Sequence, residues 1–484
     1  MWFFAFLSSL GALLFEFSLS QFLSMLIGNS AFGYTFVIGA FLLSMGIGSW
    51  LAEYWPKLHI NPRASLEIIE LIIPTLMTLS LPILVSTVFF VRQMSPLIDN
   101  CQSLVCSSVG LLVIVETLIL LMLVGVLVGM EIPLFNALGN SRLGKILAGD
   151  YLGAFVAGIA FAPVLLPRLG LIGILVLASA LHLAVAFFVR GNSYKIKIIW
   201  LLLVLINILT AINYEKIEGK LFQLLVQPSR AQKSEIIHYS YTGKQSLLFT
   251  KDTYVNGEVD KRLFLDGFLQ WSTLGGIRNY HLGIANIRNQ LGDGAKKILI
   301  LGGGDGLAAE HILEKFPEDI IQIVDFDCKL LELFAEVEEF RLLAPGIRNA
   351  KNIKITCADA FWFVTQPNQK EKWDLVLVDF PHGIGDAASS KVETLGFYYS
   401  IWNILQAGGY VSTHHEDFGS KSQICVKNNL TLAGFLTQDE KLQGMGFIQG
   451  KKIPQELASF VYNAKTIQSE LRLPCWEMFE DQTQ

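Results

Sequence analysis

The sequence predicts a chain in two parts. An N-terminal polytopic α-helical membrane bundle covers residues 1–213, and a C-terminal α/β Rossmann-like domain covers 291–484, preceded by a small β-rich region at 214–290. Three observations carry this. Of 484 residues, 52% are hydrophobic and only 16% charged, with mean hydropathy +0.47, whereas ordinary soluble domains carry about 25% charged residues. The imbalance is confined to residues 1–213, which hold long apolar runs. Beyond residue 290, buried-strand runs alternate with helical stretches, the pattern of a parallel sheet covered by helices.

A membrane-crossing helix needs about 20 mostly apolar residues, and seven runs qualify: 3–27, 31–51, 66–91, 103–130, 146–166, 169–189 and 196–213, the last being the shortest. The first has neither a basic leader nor a small-residue cleavage site and is too long for a signal core, so it reads as a retained helix. Glu16, Glu116, Glu131 and Asp150 fall within or beside these runs. An ionisable group at membrane depth faces the bundle interior with a partner; each either lines a polar cavity or, for Glu131 and Asp150, meets water at an interface, with Glu16 held by a single hydrogen bond. Gly39, Ser44, Gly46 and Gly48 in the second run, and Gly149, Gly153, Ala157 and Gly158 in the fifth, suit close helix packing. Pro74, Pro82 and Pro163 are tolerated where neighbours satisfy the freed carbonyls.

Sidedness is contested within the sequence. With seven crossings, Lys57, Arg63, Arg142, Lys145, Arg190, Lys195 and Lys197 share one side, against Arg92, Arg168, Lys216 and Lys220 on the other. The positive-inside rule places the first group, and the N-terminus, in the cytoplasm and the soluble domain outside. A cytosolic nucleoside substrate would instead require a cytoplasmic domain, as would a last run that fails to cross. The expectation is a multi-pass protein of the cell (inner) membrane with its soluble domain leaning cytoplasmic. The net charge of −5 and a pI near 6.0 argue against a nucleic-acid partner. Six cysteines show no CxxC pair and no zinc-type spacing. No metal site is expected; Cys328, Cys357, Cys425 and Cys475 read as free thiols, while Cys101 and Cys106 share one loop and could be bridged in an oxidising compartment.

In the second half, Ser246–Thr250 and Arg262–Leu265 read as short alternating strands. The clearest unit follows: a buried-strand run Lys297–Leu301, the turn Gly302-Gly303-Gly304-Asp305-Gly306, a helix from Leu307 to Lys315, and a second strand Ile320–Val324 ending on Asp325. This is the layout of a nucleotide-binding βαβ unit, in which glycines such as Gly302 and Gly304 let the backbone approach the ligand and a strand-tip carboxylate holds the ribose diol. Asp305 inside the loop would repel a pyrophosphate and attract an ammonium, favouring an adenosyl sulfonium with an amine tail over a dinucleotide. Asp359-Ala360 follows Ile353–Thr356, and Trp373–Val378 ends on Asp379. Read singly, the loop is also a tight glycine turn, and each carboxylate is equally a helix N-cap. Together they converge on the crevice at the strand ends.

These residues carry a resemblance. Gln245, the run Leu263-Phe264-Leu265-Asp266-Gly267-Phe268-Leu269-Gln270, Tyr280-His281, the GGGDG loop, Asp325-Phe326-Asp327, Asp359-Ala360 and Val378-Asp379-Phe380-Pro381 occur in the order seen in spermidine synthases, the polyamine aminopropyltransferases. The first half resembles their multi-span membrane branch in Gly28-Asn29-Ser30, Glu131-Ile132-Pro133-Leu134 and Asp150-Tyr151-Leu152-Gly153-Ala154. The resemblance implies a methyltransferase-like α/β fold without a prosthetic group. It implies transfer of an aminopropyl group from decarboxylated S-adenosylmethionine, a co-substrate, to a diamine such as putrescine, giving spermidine and methylthioadenosine. Carried over by position, Gln245, Gly302, Gly304, Asp325, Asp359 and Ala360 hold the nucleoside; His281, Asp305, Gln270 and Tyr280 contact the amine substrates; Asp379 is the catalytic proton acceptor. The implied partners are a lipid bilayer, the polyamine and adenosyl substrates and, in an assembly, a second copy.

The sequence departs from the family on the acceptor side. An acidic pair followed by Tyr-His-Glu is replaced by Leu274-Gly275-Gly276-Ile277-Arg278-Asn279-Tyr280-His281-Leu282, and the second acid after Asp379 is replaced by His382. Those acids would neutralise a dicationic acceptor, so an altered or less cationic acceptor is expected. Two other classes stay open: a methyltransferase-like enzyme on the same scaffold, and a non-catalytic membrane module that binds an adenosyl ligand or a polyamine.

Overall fold

The computed structural model describes residues 1–27, 30–54, 60–94, 107–138, 142–189, 191, 193–242, 244–274, 278–341, 351–366, 371–380, 391–415, 421–442 and 445–454. Gly28, Asn29, Cys101, Cys106, Gly275 to Ile277, Pro381, His382 and Cys475 lie outside them. The chain divides into two compact units, Met1–Gln270 and Trp271–Gln484.

The first unit is helical: α1 (Trp2–Ile27), α2 (Ser30–Tyr54), α3 (Pro62–Met94), α4 (Ser107–Leu138), α5 (Leu143–Ala160), α6 (Leu166–Val189) and α7 (Tyr194–Val226). Six stretches among the described residues are long and apolar enough to cross a membrane, where the sequence suggested seven. The difference lies in Leu143–Val189, a single 47-residue stretch containing two of the expected runs. A π-helical turn at Phe161–Leu165 carries the chain past Pro163, so no loop intervenes there. The break falls later, at Gly170, with φ 60° and ψ −171°. Glu218 covers that break, accepting from the backbone N–H groups of Leu171 at 3.2 Å and Ile172 at 2.8 Å. It thereby satisfies donors that a restarting helix leaves open.

Small residues set the closest helix contacts. A Cβ at Gly149 or Gly153 would come within 2.3 Å of the carbonyl oxygens of Trp2 or Phe6, so α5 lies backbone against backbone on α1. In α2, Gly48 abuts Val126 of α4, and Gly129 of α4 abuts Met45. Gly39, Gly46 and Gly158, expected to serve the same purpose, face no neighbouring atom within 4 Å.

Helix α7 continues to Val226, past residue 213, because the charged stretch that ends its apolar run remains compatible with a helix. Its last turns are buried against a four-stranded antiparallel sheet in the order β1 (Ala231–Tyr241), β2 (Ser246–Tyr254), β3 (Val259–Leu265) and β4 (Phe268–Ser272). Tyr239 donates to Glu218 at 2.8 Å, and Arg262 donates to the Val226 carbonyl at 3.0 Å. β3 and β4 are joined through Asp266 (φ 48°) and Gly267 (φ 81°), the left-handed pair of a tight hairpin.

The second unit holds a seven-stranded sheet: β5 (Lys297–Gly302), β6 (Ile320–Asp325), β7 (Ile353–Cys357), β8 (Trp373–Asp379), β9 (Leu405–His415), β10 (Phe435–Leu442) and β11 (Met445–Lys452), ordered β10-β11-β9-β8-β5-β6-β7. β5 to β9 run parallel, and the β10–β11 hairpin is antiparallel. This is the expected α/β fold with a hairpin edge. β5 is buried on both faces: Ile298 and Ile300 join one core with Ile321, Ile323, Leu375 and Leu377, while Leu299 and Leu301 join the other with Val324, Val376 and Val378. Burial on both faces is why these strands read as unbroken apolar runs.

The free-thiol expectation is corrected here. Cys328, at the start of the helix Cys328–Glu336, and Cys357, at the end of β7, form a disulfide with Cα atoms 5.5 Å apart. The β6–β7 register sets Cys357 beside Asp325, three residues before Cys328. Cys425 is disulfide-bonded as well.

Candidate active site

The parallel strands of the second unit end together at one edge. Gly302 pairs with Asp379, and Asp325 with Cys357, so the glycine loop and the two acidic strand tips share the crevice where α/β sheets bind ligands. The loop is wedged between the tips. Gly302 and Gly303 have φ of 82° and 65°. A Cβ on Gly302 would lie 2.1 Å from the Asp379 carbonyl oxygen, and one on Gly304 would lie 2.7 Å from an Asp325 carboxylate oxygen. Gly303 N–H donates to the Asp379 carbonyl at 3.2 Å.

Asp325 is 9% exposed and accepts from the Asp327 N–H at 2.7 Å and from the Gly304 backbone. Burial, with the charges of Asp327 and Asp305, pushes its carboxyl above the usual range despite these donors. Asp359 caps the helix Ala360–Thr365, accepting from Trp362 N–H at 2.9 Å, with Ala360 buried behind it. The N-cap alternative weighed for Asp359 is therefore realised, and its carboxylate is committed at least in part to the backbone.

Asp305, His281, Tyr280 and Asp379 meet in one cluster. Asp305 accepts from the Leu307 N–H at 3.0 Å, and its other oxygen lies 3.2 Å from His281 Nε2. Tyr280 O–H donates to Asp379 Oδ1, while Asp379 Oδ2 is buried without a hydrogen-bond partner. His281, Asp305 and Asp379 each offer an atom within 4.8 Å of the others, a set that suits a cation: a metal ion or an ammonium.

Electrostatics separates the two acids. Burial depresses the His281 imidazolium, but the adjacent Asp305 carboxylate outweighs it and holds the ring above its usual range. Asp305, in spite of burial, is held below the carboxylate range by His281. The two form an ion pair. Asp379 is pushed up to about 6, by burial first and by the Asp305 charge second, against the lowering effects of His281 and Tyr280. Two carboxyls whose environments drive their pKa values apart mark an acid–base assignment.

Gln245, just before β2, and Gln270, on β4, both lie in the first unit and are half-buried. The sequence reading did not foresee that Tyr280 binds Asp379, nor His414, whose ring packs edge-on to Tyr280 with centroids 4.6 Å apart. No local signal marks either, because the partners are 99 and 134 positions away from Tyr280.

The sheet order, the glycine loop and the acid-tipped strands define the second unit as an α/β enzyme domain with a ligand crevice at its strand ends. Residues 278–437 match the spermine/spermidine synthase domain. The chain is 29% identical over 479 residues to polyamine aminopropyltransferase 2 of Aquifex aeolicus, covering 95% of this chain and 89% of that one. It is 28% identical over 458 residues to polyamine aminopropyltransferase 1 of Streptomyces coelicolor, covering 91% and 81%. Among solved structures, a spermidine synthase in complex with the transition-state analogue AdoDATO aligns with 18% identity and a TM-score of 0.36, over 52% of this chain and 89% of that one. The chain thus carries a spermine/spermidine synthase domain, is similar over most of its length to polyamine aminopropyltransferases, and is an aminopropyltransferase enzyme.

Proposed function

We propose that this chain is a membrane-embedded aminopropyltransferase that moves the aminopropyl group of decarboxylated S-adenosylmethionine to the amine of a diamine such as putrescine, giving spermidine and methylthioadenosine. The observation that carries the chemistry is Asp379: half-buried, poised near 6, one oxygen held by Tyr280 and the other without a partner beside the glycine loop. An ammonium has no lone pair, so Asp379 takes a proton from the acceptor. The freed amine attacks the carbon next to the sulfonium, a C–N bond forms, and the C–S bond breaks with its electron pair leaving on sulfur as a neutral thioether. Asp325 supports the donor as ribose ligand, with Gly302, Gly304, Asp359 and Ala360 around the nucleoside. His281, Asp305 and Tyr280 take the amine side. Because His281 already neutralises Asp305, this side offers less free negative charge than a dication needs, which favours a less cationic acceptor than putrescine as the variant reading.

Membrane residence is supported by the surface of α7. Leu201, Leu202, Leu205, Ile208, Leu209 and Ile212 are each at least half exposed, an apolar face larger than water-facing helices present. The nucleoside substrate supports a cytoplasmic second unit.

Incubating the full-length protein with putrescine and either decarboxylated or ordinary S-adenosylmethionine, then analysing the products, tests the reaction. Spermidine with methylthioadenosine is expected; a methylated amine instead would overturn it. Asp325→Ala is expected to weaken methylthioadenosine binding at least tenfold by calorimetry, since a ribose diol held at a strand tip loses both its hydrogen bonds. Unchanged affinity would remove the ribose assignment. Activity should fall as pH drops through about 6, where Asp379 becomes protonated. Tyr280→Phe deletes a donor that lowers the Asp379 pKa, so this acid limb of kcat/KM should move to higher pH. A limb that stays in place would detach it from Asp379.

A further inference from the structure

The helical unit holds a second group of titratable side chains that the transfer reaction does not use. Glu70 of α3, Glu131 of α4 and His182 of α6 converge in its interior, each offering an atom within 4.8 Å of the others. His182 Nδ1 faces both acids, 2.8 Å from Glu70 Oε2 and 3.7 Å from Glu131 Oε1. Ser8 of α1 donates to the other oxygen of Glu131. Glu70 and His182 are fully buried and Glu131 is 2% exposed. Glu70 Oε1, Glu131 Oε1 and His182 Nε2 have no hydrogen-bond partner.

Two carboxylates and one imidazole cannot satisfy one another. A single His⁺ neutralises one acid, and an uncompensated carboxylate inside a bundle is as unfavourable as a buried ion pair that has lost one partner. No lysine or arginine among the described residues pairs with either acid, and a further acid, Asp150, which accepts from Ser9, lies near Glu131. The cluster therefore calls for a cation. Donor atoms that share one ion at about 2.1 Å stand roughly 3.0 to 3.4 Å apart, and the 2.8 and 3.7 Å separations bracket that range. One imidazole and two carboxylates, with no thiolate, form the borderline-hard set that takes zinc, manganese or ferrous iron. Gly11 of α1 packs tightly against the opposite edge of the ring, where a Cβ would come 3.0 Å from His182 Cδ2, so the imidazole is held with Nδ1 toward the acids. Sites of this kind are built from inward-facing side chains of a helix bundle.

We propose that Glu70, Glu131 and His182 bind a divalent transition-metal ion that ties α3, α4 and α6 together inside the helical unit. This site is separate from His281, Asp305 and Asp379 and does not rest on the transfer reaction.

The test uses full-length protein in detergent, stripped with a chelator, dialysed against zinc chloride or manganese chloride and freed of excess. Elemental analysis should find about one ion per chain, and the melting temperature should rise by several degrees over the stripped protein. His182→Gln and Glu131→Gln should each lose that ion and the metal-dependent rise. Glu16→Gln, which alters a buried acid of α1 outside the cluster, should keep both. Where a ligand variant fails to purify, cobalt titration of Asp379→Asn, which removes a ligand of the other cluster, decides: saturable visible absorption at one equivalent, as in the wild type, supports the site. Wild-type protein that holds no metal above the level of Glu131→Gln, or gives no cobalt absorption, overturns the proposal and leaves protons as what neutralises the cluster.

Discussion

Asp379→Asn is expected to lower aminopropyl transfer by about 10² to 10⁴-fold, the contribution of a positioned general base, while methylthioadenosine binding stays within a fewfold of wild type. The amide keeps the shape of the carboxyl and still accepts from Tyr280, so the crevice is undisturbed. What it loses is the basic oxygen, Oδ2, that no other group occupies. Single-turnover product formation separates chemistry from release, and calorimetry on the same preparation reports binding. Because the variant lacks only the proton acceptor, raising the pH toward the amine's own pKa should restore part of the transfer, since an amine deprotonated in solution needs no base. Wild-type transfer by Asp379→Asn at neutral pH would end the assignment and move attention to Asp305, the other acid of the cluster.

The parts of this site that could be read from the sequence are those encoded within a few residues. Strand burial on both faces writes itself as Ile298-Leu299-Ile300-Leu301, and the turn that follows can only be glycine-rich, because its backbone lies against the Asp379 carbonyl and the Asp325 carboxylate. Chain-order motifs were enough to place Asp305, Asp325 and Asp379 at one sheet edge. They were not enough to assign partners. The Tyr280–Asp379 bond and the His281–Asp305 pair join residues 99 and 24 positions apart, and depend on how the helix Arg278–Asn286 docks on the sheet. The same limit hid the buried cluster in the bundle. Glu131 stood out as an acid in an apolar run, but Glu70 and His182 gained meaning only when α3 and α6 came together. Hydropathy also misjudged the end of α7. Glu215, Lys216, Glu218 and Lys220 end the apolar run without ending the helix, since such residues keep good helix propensity.

The remaining large effect concerns the loop that holds Asp379 in place. Gly302→Ala is expected to reduce transfer at least about 10²-fold and to lower the melting temperature, for two separable reasons. An L side chain at φ 82° is strained by about 1 to 2 kcal/mol. Its Cβ would also stand 2.1 Å from the Asp379 carbonyl oxygen and 2.9 Å from the carbonyl carbon. That neighbour is main chain and cannot swing aside, so β5 and β8 must part where Gly302 pairs with Asp379, and the Gly303 bond to that carbonyl is lost. A shift of about 1 Å in a reacting group costs about 10²-fold in rate. Gly294→Ala provides the control, because Gly294 has φ 85° and open space around its Cβ position. It carries the same backbone strain without the collision, so it should lose stability alone and keep near-wild-type kcat. If the two variants lose activity equally, the close approach of the loop to Asp379 is not what positions the base, and the glycine serves the turn alone.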